Sequence, residues 1–310
     1  MSDIAVENMA MGWLRDFPDY RDFTPEHDTV SPKLKRLDQK DSIKAMLKKA
    51  GVTGATKAAA LPASVDLRQP WCSPIENQSN LGSCTANAGV GLVEYFERRA
   101  FGTHLDASRL FLYKVTRNLM RVTGDTGAYL RTMAGALTLF GVPPEEYWPY
   151  NTNTPDFDKE PTAFCYAFAQ NFQAITFYRL DPSGTTKLVL LNQIKTNLAA
   201  GLPSMFGFTV YSSYTQANTT GKIPFPVAGD RVVGGHAVDA VGYDDTLKIK
   251  NAAAGAVETT GALLIRNSWG TGWGTAGYGW LPYDYVLKGL AVDWWSLLKN
   301  DWINTGQFKV

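Results

Sequence analysis

The chain has little cysteine and little histidine, and this limits the kinds of site that it can build. Among 310 residues there are only three of each. Three cysteines allow at most one internal disulfide, so a small disulfide-stapled scaffold is excluded. A multi-histidine zinc site would need nearly every histidine, and no HExxH or CxxC spacing supports one, so we expect no metal site. The residues concerned are Cys72, Cys84, Cys165, His27, His104 and His236.

The chain also carries almost no net charge and has no long apolar run. Lysine and arginine total 30 and aspartate and glutamate total 29, so the formal net charge is +1. This balance gives no electrostatic reason to expect a nucleic-acid partner. No 18 consecutive residues are apolar, so we expect no membrane partner. The first 17 residues have neither the basic nor the apolar region of a secretory signal, which leaves the cytoplasm and non-classical export as alternatives.

Residues 1–60 differ from the rest and are predicted to form an N-terminal extension. The first 30 residues carry seven acidic and two basic side chains, and residues 31–50 carry seven basic and two acidic ones. These blocks can attract each other or complementary surfaces elsewhere. Apolar residues at helical spacing from Ile43 predict a short helix that Gly51 ends. The small residues of 51–60 predict a linker, and the extension is either a structural arm or a pro-segment.

The remaining residues, 61–310, predict an α+β fold with two lobes and a cleft between them. Periodicity and glycine stops predict helices at about 84–99, 108–119, 129–140 and 186–200. Alternation and turn residues predict strands at 204–210, 237–243, 247–250, 263–267 and 278–281. The predicted helical lobe spans about 72–200 and the strand lobe about 201–310. Ligands commonly bind in such clefts.

Cys84 is the first candidate for chemistry. It follows Gly82-Ser83 and begins the first long predicted helix. The helix dipole and the free N–H groups at a helix start favour a thiolate over a thiol. A free thiol is only a few per cent ionised at neutral pH, so a nucleophilic cysteine also needs a base. A lone cysteine in such a position is more often a buried apolar residue.

A histidine and an asparagine downstream provide the other groups. His236 follows two glycines and opens an apolar strand, and Asn267 ends another strand. An asparagine side chain can fix an imidazole tautomer, and Trp269 can shield that hydrogen bond from water. Each residue alone has an ordinary structural explanation. Their order along the chain, Gln78, Cys84, His236 and Asn267, is what favours a catalytic site.

This order resembles the papain-like cysteine peptidases across residues 61–310. Gln78 and Cys84 keep the family's six-residue separation, and His236-Ala237-Val238 matches its histidine strand. The run NSWGTGWG from Asn267 matches its asparagine motif nearly letter for letter. The stretch GWLRDFPDYRD from Gly12 and the Gly-Ser-Cys-Thr-Ala-Asn-Ala variant at the cysteine resemble the bacterial and viral branch.

The resemblance implies a two-lobe papain-like fold, with a mainly helical lobe and a β-barrel-like strand lobe, and a hydrolase that needs no cofactor. Cys84 would be the nucleophile, and His236 would be its general base and then its acid. Asn267 would orient His236. The Gln78 side chain and the Cys84 N–H would form the oxyanion hole. The implied activity is that of a cysteine endopeptidase acting through a thiolate–imidazolium pair and an acyl-thioenzyme.

The resemblance also implies a substrate cleft for a peptide or protein, in a monomeric enzyme. Gly127 and Ala128 stand where the family pairs with the substrate backbone, although Ala128 replaces a glycine. Gly207, Gly235 and Trp269 are further candidates for the cleft lining.

Departures from the family pattern leave some alternatives open. Leu81 stands where secreted relatives have a disulfide cysteine, so the usual disulfide set is absent. Cys72 and Cys165 are predicted to be buried thiols, with a disulfide pair as the alternative. The extension may make the enzyme a zymogen by covering the cleft, and the competing activities are those of an amidase or transpeptidase or of a non-catalytic peptide-binding domain.

Overall fold

Nine helices and a seven-stranded sheet make up the part of the chain that the computed structural model describes, namely residues 10–52, 61–153, 155–172 and 175–308. The helices are α1 (Pro32–Arg36), α2 (Ile43–Lys49), α3 (Cys84–Phe101), α4 (Arg109–Met120), α5 (Leu130–Phe140), α6 (Ala163–Ala169), α7 (Lys187–Ala199), α8 (Tyr283–Leu287) and α9 (Asn300–Asn304). The strands are β1 (Ser64–Asp66), β2 (Thr176–Arg179), β3 (Ser204–Tyr211), β4 (Val232–Ile249), β5 (Thr259–Arg266), β6 (Tyr278–Pro282) and β7 (Ala291–Leu298).

The central helix α3 joins the two lobes. It packs against α4 and α5 on one side and against β4 and β3 on the other. Nearly all of its side chains are buried, which explains why its apolar positions are not confined to one stripe. Its N-terminus therefore lies where the helical lobe meets the sheet, and Cys84 is its first residue.

The sheet is antiparallel, with the strand order β2-β7-β3-β4-β5-β6, and β1 pairs with β4. The β3–β4 register sets Phe208 opposite His236, so the histidine lies inside a central strand. Asn267 follows directly after β5, the neighbour of β4 on its other side. The register of three adjacent strands thus brings the histidine and the asparagine together.

The predicted α+β fold with two lobes is confirmed, with three differences in detail. The strands predicted at 237–243 and 247–250 are one strand, β4, because no turn interrupts them. Strands β1, β2 and β7 were not predicted. Every residue of β7 is buried, so it lacks the alternation that marks a half-exposed strand.

The predicted lobe boundary at residue 200 is wrong. Strand β2 pairs with β7, and α7 packs on β4 and α8. Residues 176–199 therefore belong to the strand lobe. The prediction assigned them to the helical lobe because α7 is a helix that precedes most of the strands in the chain, whereas its apolar side packs on the sheet.

The second half of the extension is built into the fold. Ile43, Met46 and Leu47 of α2 are buried, and α2 packs on α9. The Asn300 side chain accepts hydrogen bonds from the backbone N–H groups of Lys40 and Asp41, at 2.9 and 3.0 Å. The helix predicted from Ile43 is confirmed, whereas most of the predicted linker lies outside the described residues. None of the described helices is long and apolar enough to cross a membrane.

Candidate active site

Cys84 lies at the start of α3, completely buried between the two lobes. Burial raises the pKa of its thiol to about 11, although the backbone N–H groups of Ala237 and Gly12 near the sulfur act in the opposite direction. Gly12 belongs to the N-terminal extension. The cysteine is therefore held as a neutral thiol while the extension covers it.

His236 is held in one orientation by Asn267 and Trp269. Its Nε2 lies 2.8 Å from Asn267 Oδ1, which also accepts the backbone N–H of Ser268. The Ser268 N–H identifies this Asn267 atom as the amide oxygen, which can only accept. Nε2 of the imidazole must therefore carry the hydrogen, and Nδ1 carries the free lone pair. Nδ1 has no hydrogen-bond partner among the described residues. The indole of Trp269 stacks on the imidazole with ring centroids 4.5 Å apart, and burial lowers the pKa of His236 to about 4.

The Gln78 side chain is fixed with its amide nitrogen toward the cleft. Its Oε1 accepts a hydrogen bond of 2.6 Å from the Ser268 hydroxyl. Its Nε2 donates to the backbone carbonyls of Leu81 and Ala10, at 2.9 and 3.0 Å. Because a carbonyl can only accept, the two carbonyls determine which end of the amide is the nitrogen, and the Ser268 hydroxyl holds the opposite, oxygen end. Sequence reasoning missed this role of Ser268.

The loop before Cys84 is held by a carboxylate. Asp125 accepts the backbone N–H of Gly82 with both oxygens, at 2.9 and 3.1 Å. The Tyr113 hydroxyl donates to Asp125 at 2.5 Å and accepts the Gly127 N–H at 3.1 Å. One carboxylate and one phenol thus connect the loop at residue 82 to the segment at residue 127.

Residues 10–14 of the extension run through the cleft. The Gly12 carbonyl accepts the Ala128 N–H at 2.8 Å, and the Leu14 N–H donates to the Ala128 carbonyl at 3.0 Å, a parallel pairing. From the other wall, the Gly235 carbonyl accepts the Trp13 N–H at 3.2 Å. The extension therefore uses the backbone groups of both walls.

The Trp13 side chain fills a pocket in the strand lobe. Its indole lies where a Cβ on Gly207 or Gly235 would stand, so neither glycine could carry a side chain without displacing it. Its Nε1 donates to Asp293 Oδ2 at 3.0 Å, and only 8% of the residue is exposed. Asp293 lies in β7, which was not predicted as a strand, and for that reason it was missed.

Two arginines anchor the extension beyond Trp13. Arg131 of α5 donates to Asp22 at 2.7 and 2.9 Å and to the Phe17 carbonyl at 2.6 Å, and it also contacts Asp16. Arg179 of β2 donates to the Asp16 carbonyl at 3.2 Å and lies 3.6 Å from the Asp22 carboxylate. One arginine belongs to each lobe, so the extension bridges the two walls of the cleft.

The predicted cleft residues lie beside residues 10–14, with one exception. Ala128, Gly207 and Gly235 contact the extension directly, and a Cβ on Gly127 would collide with the Gly12 carbonyl. Trp269 instead covers the histidine.

All three cysteines are free and buried, so the structure does not support the alternative disulfide between Cys72 and Cys165. In the described residues, the carboxylates of Glu76, Glu94 and Asp106 converge, but both oxygens of the buried Glu94 already accept hydrogen bonds, from Ser73 and Ala107.

Comparisons with known proteins agree with this geometry. A family model described as papain family cysteine protease matches residues 61–287. An uncharacterized peptidase C1-like protein of Acanthamoeba polyphaga mimivirus is 30% identical over 301 residues, which cover 95% of this chain and 88% of the viral one. Cathepsin K of Gallus gallus is 29% identical over 228 residues, covering 70% of this chain and 58% of its own. The crystal structure of xylellain, a cysteine protease from Xylella fastidiosa, has a TM-score of 0.70 and 32% identity and covers 94% of this chain and 97% of its own.

Proposed function

Because this chain belongs to the papain family of cysteine proteases, we propose that Cys84, His236, Asn267 and Gln78 form its catalytic site. The enzyme is a cysteine peptidase and hydrolase of that family. The observation that carries the assignment of residues is the hydrogen bond of 2.8 Å between His236 Nε2 and Asn267 Oδ1. It leaves Nδ1 of the imidazole as the basic nitrogen.

The proposed mechanism follows from these positions. His236 Nδ1 takes the Cys84 proton, and the thiolate attacks the scissile carbonyl carbon of a peptide. The oxygen that gains negative charge is stabilised by Gln78 Nε2 and the Cys84 N–H, and His236 then protonates the leaving amine. Water, deprotonated by the same imidazole, hydrolyses the acyl-thioenzyme and restores the thiol.

Replacing the nucleophile tests this assignment. Cys84→Ala should abolish peptide hydrolysis and labelling by an epoxide inhibitor of cysteine peptidases. Cys165→Ala is the matched control, because it removes another buried thiol that lies outside the cleft. Full hydrolysis by Cys84→Ala would refute the mechanism. Adding an amine acceptor to the assay separates hydrolysis from the alternative transpeptidase activity.

The extension consists of two parts, and we propose that only the first is inhibitory. Residues 10–23 occupy the cleft, engage Gln78 Nε2 and bury Cys84, so they block substrate and disfavour the thiolate. Within residues 31–52, α2 packs on α9 and the N–H groups of Lys40 and Asp41 bond to Asn300, away from these contacts. The predicted pro-segment of 1–60 is thus divided into a cover and a structural arm.

Full-length variants can separate the two roles. Trp13→Ala removes the side chain that fills the pocket, so it should raise the rates of peptide hydrolysis and of Cys84 labelling. Tyr20→Ala is the control, since this tyrosine is in the same segment but 95% exposed. Met46→Ala, in the arm, should lower the melting temperature without raising activity, because its completely buried side chain packs in the core. Equal activation by Met46→Ala and Trp13→Ala would contradict the division.

A further inference from the structure

The floor of the pocket that Trp13 fills is a buried carboxylate, which is unusual for an apolar site. Gly207 and Gly235 provide the space, and Asp293, which is completely buried, faces the indole. Asp293 Oδ1 accepts the Trp295 Nε1–H at 2.7 Å, and Oδ2 accepts the Trp13 Nε1–H at 3.0 Å. Trp295 belongs to the same strand as Asp293, so only the Oδ2 bond depends on what occupies the pocket.

Asp293 shares a buried arginine, Arg179, with a second carboxylate, Asp181. Arg179 Nη1 lies 3.3 Å from Asp293 Oδ1, and Arg179 Nε donates to Asp181 at 2.9 Å. Burial raises the pKa of Asp293 to about 6, and Arg179 and the Trp13 N–H oppose the increase.

Displacing the extension leaves Asp293 Oδ2 without its hydrogen-bond donor. Among the described residues, Trp13 is the only side chain or backbone group that donates to this oxygen. A buried carboxylate oxygen without a donor is costly, more so than a neutral acceptor. A ligand of this pocket therefore binds better if it donates an N–H to Asp293 Oδ2 from the position of the Trp13 Nε1.

We propose that Asp293 is a specificity-determining residue that selects substrates with an aromatic side chain bearing a ring N–H, tryptophan foremost. The inference rests on the proposed function, because it concerns the substrate of the same cleft. Phenylalanine fits the space but leaves Oδ2 unpaired. A lysine or arginine side chain would be repelled by Arg179, whose Nη1 lies 3.3 Å from Oδ1 of the same carboxylate.

Paired substrates test the selection in the full-length Trp13→Ala chain, whose pocket is free. A peptide library read by mass spectrometry should show tryptophan enriched at one fixed distance from the cleaved bond. Matched peptides with tryptophan or 3-benzothienylalanine at that position differ by one N–H in a ring of nearly equal shape. A hydrogen bond to a charged acceptor corresponds to about a 10- to 100-fold difference in kcat/KM. Equal values for the two peptides would overturn the proposal.

Variants of Asp293 provide the control. In the Trp13→Ala background, Asp293→Leu should abolish the preference for tryptophan over benzothienylalanine. Asp293→Asn should retain part of it, because the amide keeps the size and one acceptor oxygen. An undiminished preference in Asp293→Leu would refute the role of the carboxylate. If the leucine variant does not fold, Asp293→Asn decides, and there too an undiminished preference is the contrary result.

Labelling of Cys84 tests the contact without relying on hydrolysis. In the otherwise wild-type chain, Trp13→Phe and Asp293→Asn should each speed alkylation of Cys84, because each weakens the closed cleft. The double variant should be little faster than the faster single variant, since both remove one interaction. Rate increases that multiply, or no increase at all, would overturn the inference. If no peptide is cleaved, the proposed function is refuted instead. The labelling rates of the two single variants and the double variant still show whether Trp13 and Asp293 interact.

Discussion

Arg131 should be the strongest ionic anchor of the covering segment, and Arg131→Gln should open the cleft. The guanidinium makes two hydrogen bonds to Asp22, at 2.7 and 2.9 Å, and one of 2.6 Å to the Phe17 carbonyl, besides its ion pair with Asp16. Only 4% of the Asp22 side chain is exposed, so its carboxylate depends on this partner. Glutamine keeps a polar side chain of intermediate length but removes the charge.

The size of the effect follows from burial. Removing one partner of a buried ion pair typically costs about 3–5 kcal/mol, because the other charge stays buried. The Arg131 side chain is 26% exposed and Asp22 keeps Arg179 at 3.6 Å, so the cost is reduced to about 2–3 kcal/mol. At 1.4 kcal/mol for each factor of ten, the covered state should weaken by about 30- to 150-fold.

The assay is the second-order rate of Cys84 alkylation by iodoacetamide, with peptide hydrolysis measured in parallel. Both rates should rise by that factor if alkylation occurs only from the open state. The matched control is Arg36→Gln, which removes the charge of an exposed arginine in the structural arm. An acceleration of less than about threefold with an unchanged melting temperature would show that the ion pairs do not hold the cover.

Three further predictions concern the catalytic machinery. Asp125→Ala should lower kcat/KM about tenfold or more, because it frees the Gly82 loop. Asp125→Asn should lower kcat/KM less, because the amide keeps one acceptor oxygen. Equal effects of the two variants would contradict the role of the acceptor. Ser268→Ala should lower kcat, but it should add nothing in a Gln78→Ala background, where the loss of the oxyanion donor already costs about 10²–10³; additive losses in kcat would show that Ser268 acts elsewhere. Burial raises the pKa of Cys84 to about 11 in the covered state, so exposure of the thiol to solvent should lower the midpoint of its alkylation–pH curve. The curve of Trp13→Ala should therefore lie at lower pH than that of the wild type. Higher pH thus favours the uncovered state through this thiol, and identical midpoints would be the contrary result.

The proposed catalytic residues could be identified from the sequence because each lies in a local motif. The six-residue step from Gln78 to Cys84 and the runs around His236 and Asn267 are short enough to be read directly from the sequence. The fold class followed from the change of periodicity after residue 201. The structure adds the side-chain geometry that a motif does not contain, such as the tautomer of His236.

The partners of the covering segment could not be assigned, because they are distant from it in sequence. In addition, Arg179 and Asp293 lie in strands without alternation. The acidic excess of the first 30 residues was recognisable, but two interpretations of it remained. The structure shows both: Glu26 pairs with Lys44 of the arm at 3.0 Å, while Asp16 and Asp22 pair with Arg131 and Arg179 of the lobes. The first is an exposed pair of little energetic weight, and the others are partly or fully buried.

The covering segment also describes what a substrate must provide. It places a carbonyl on Gln78 Nε2, pairs its backbone with both the N–H and the carbonyl of Ala128, donates an N–H to the Gly235 carbonyl, and puts an indole N–H on Asp293. Gln78, Ala128 and Asp293 are buried beneath the segment, so a substrate that displaces it must replace their bonds or leave a polar group unpaired. A substrate that supplies all of them exchanges one set of bonds for an equal one, and the same contacts that hold the cleft closed therefore set the selectivity of the open enzyme.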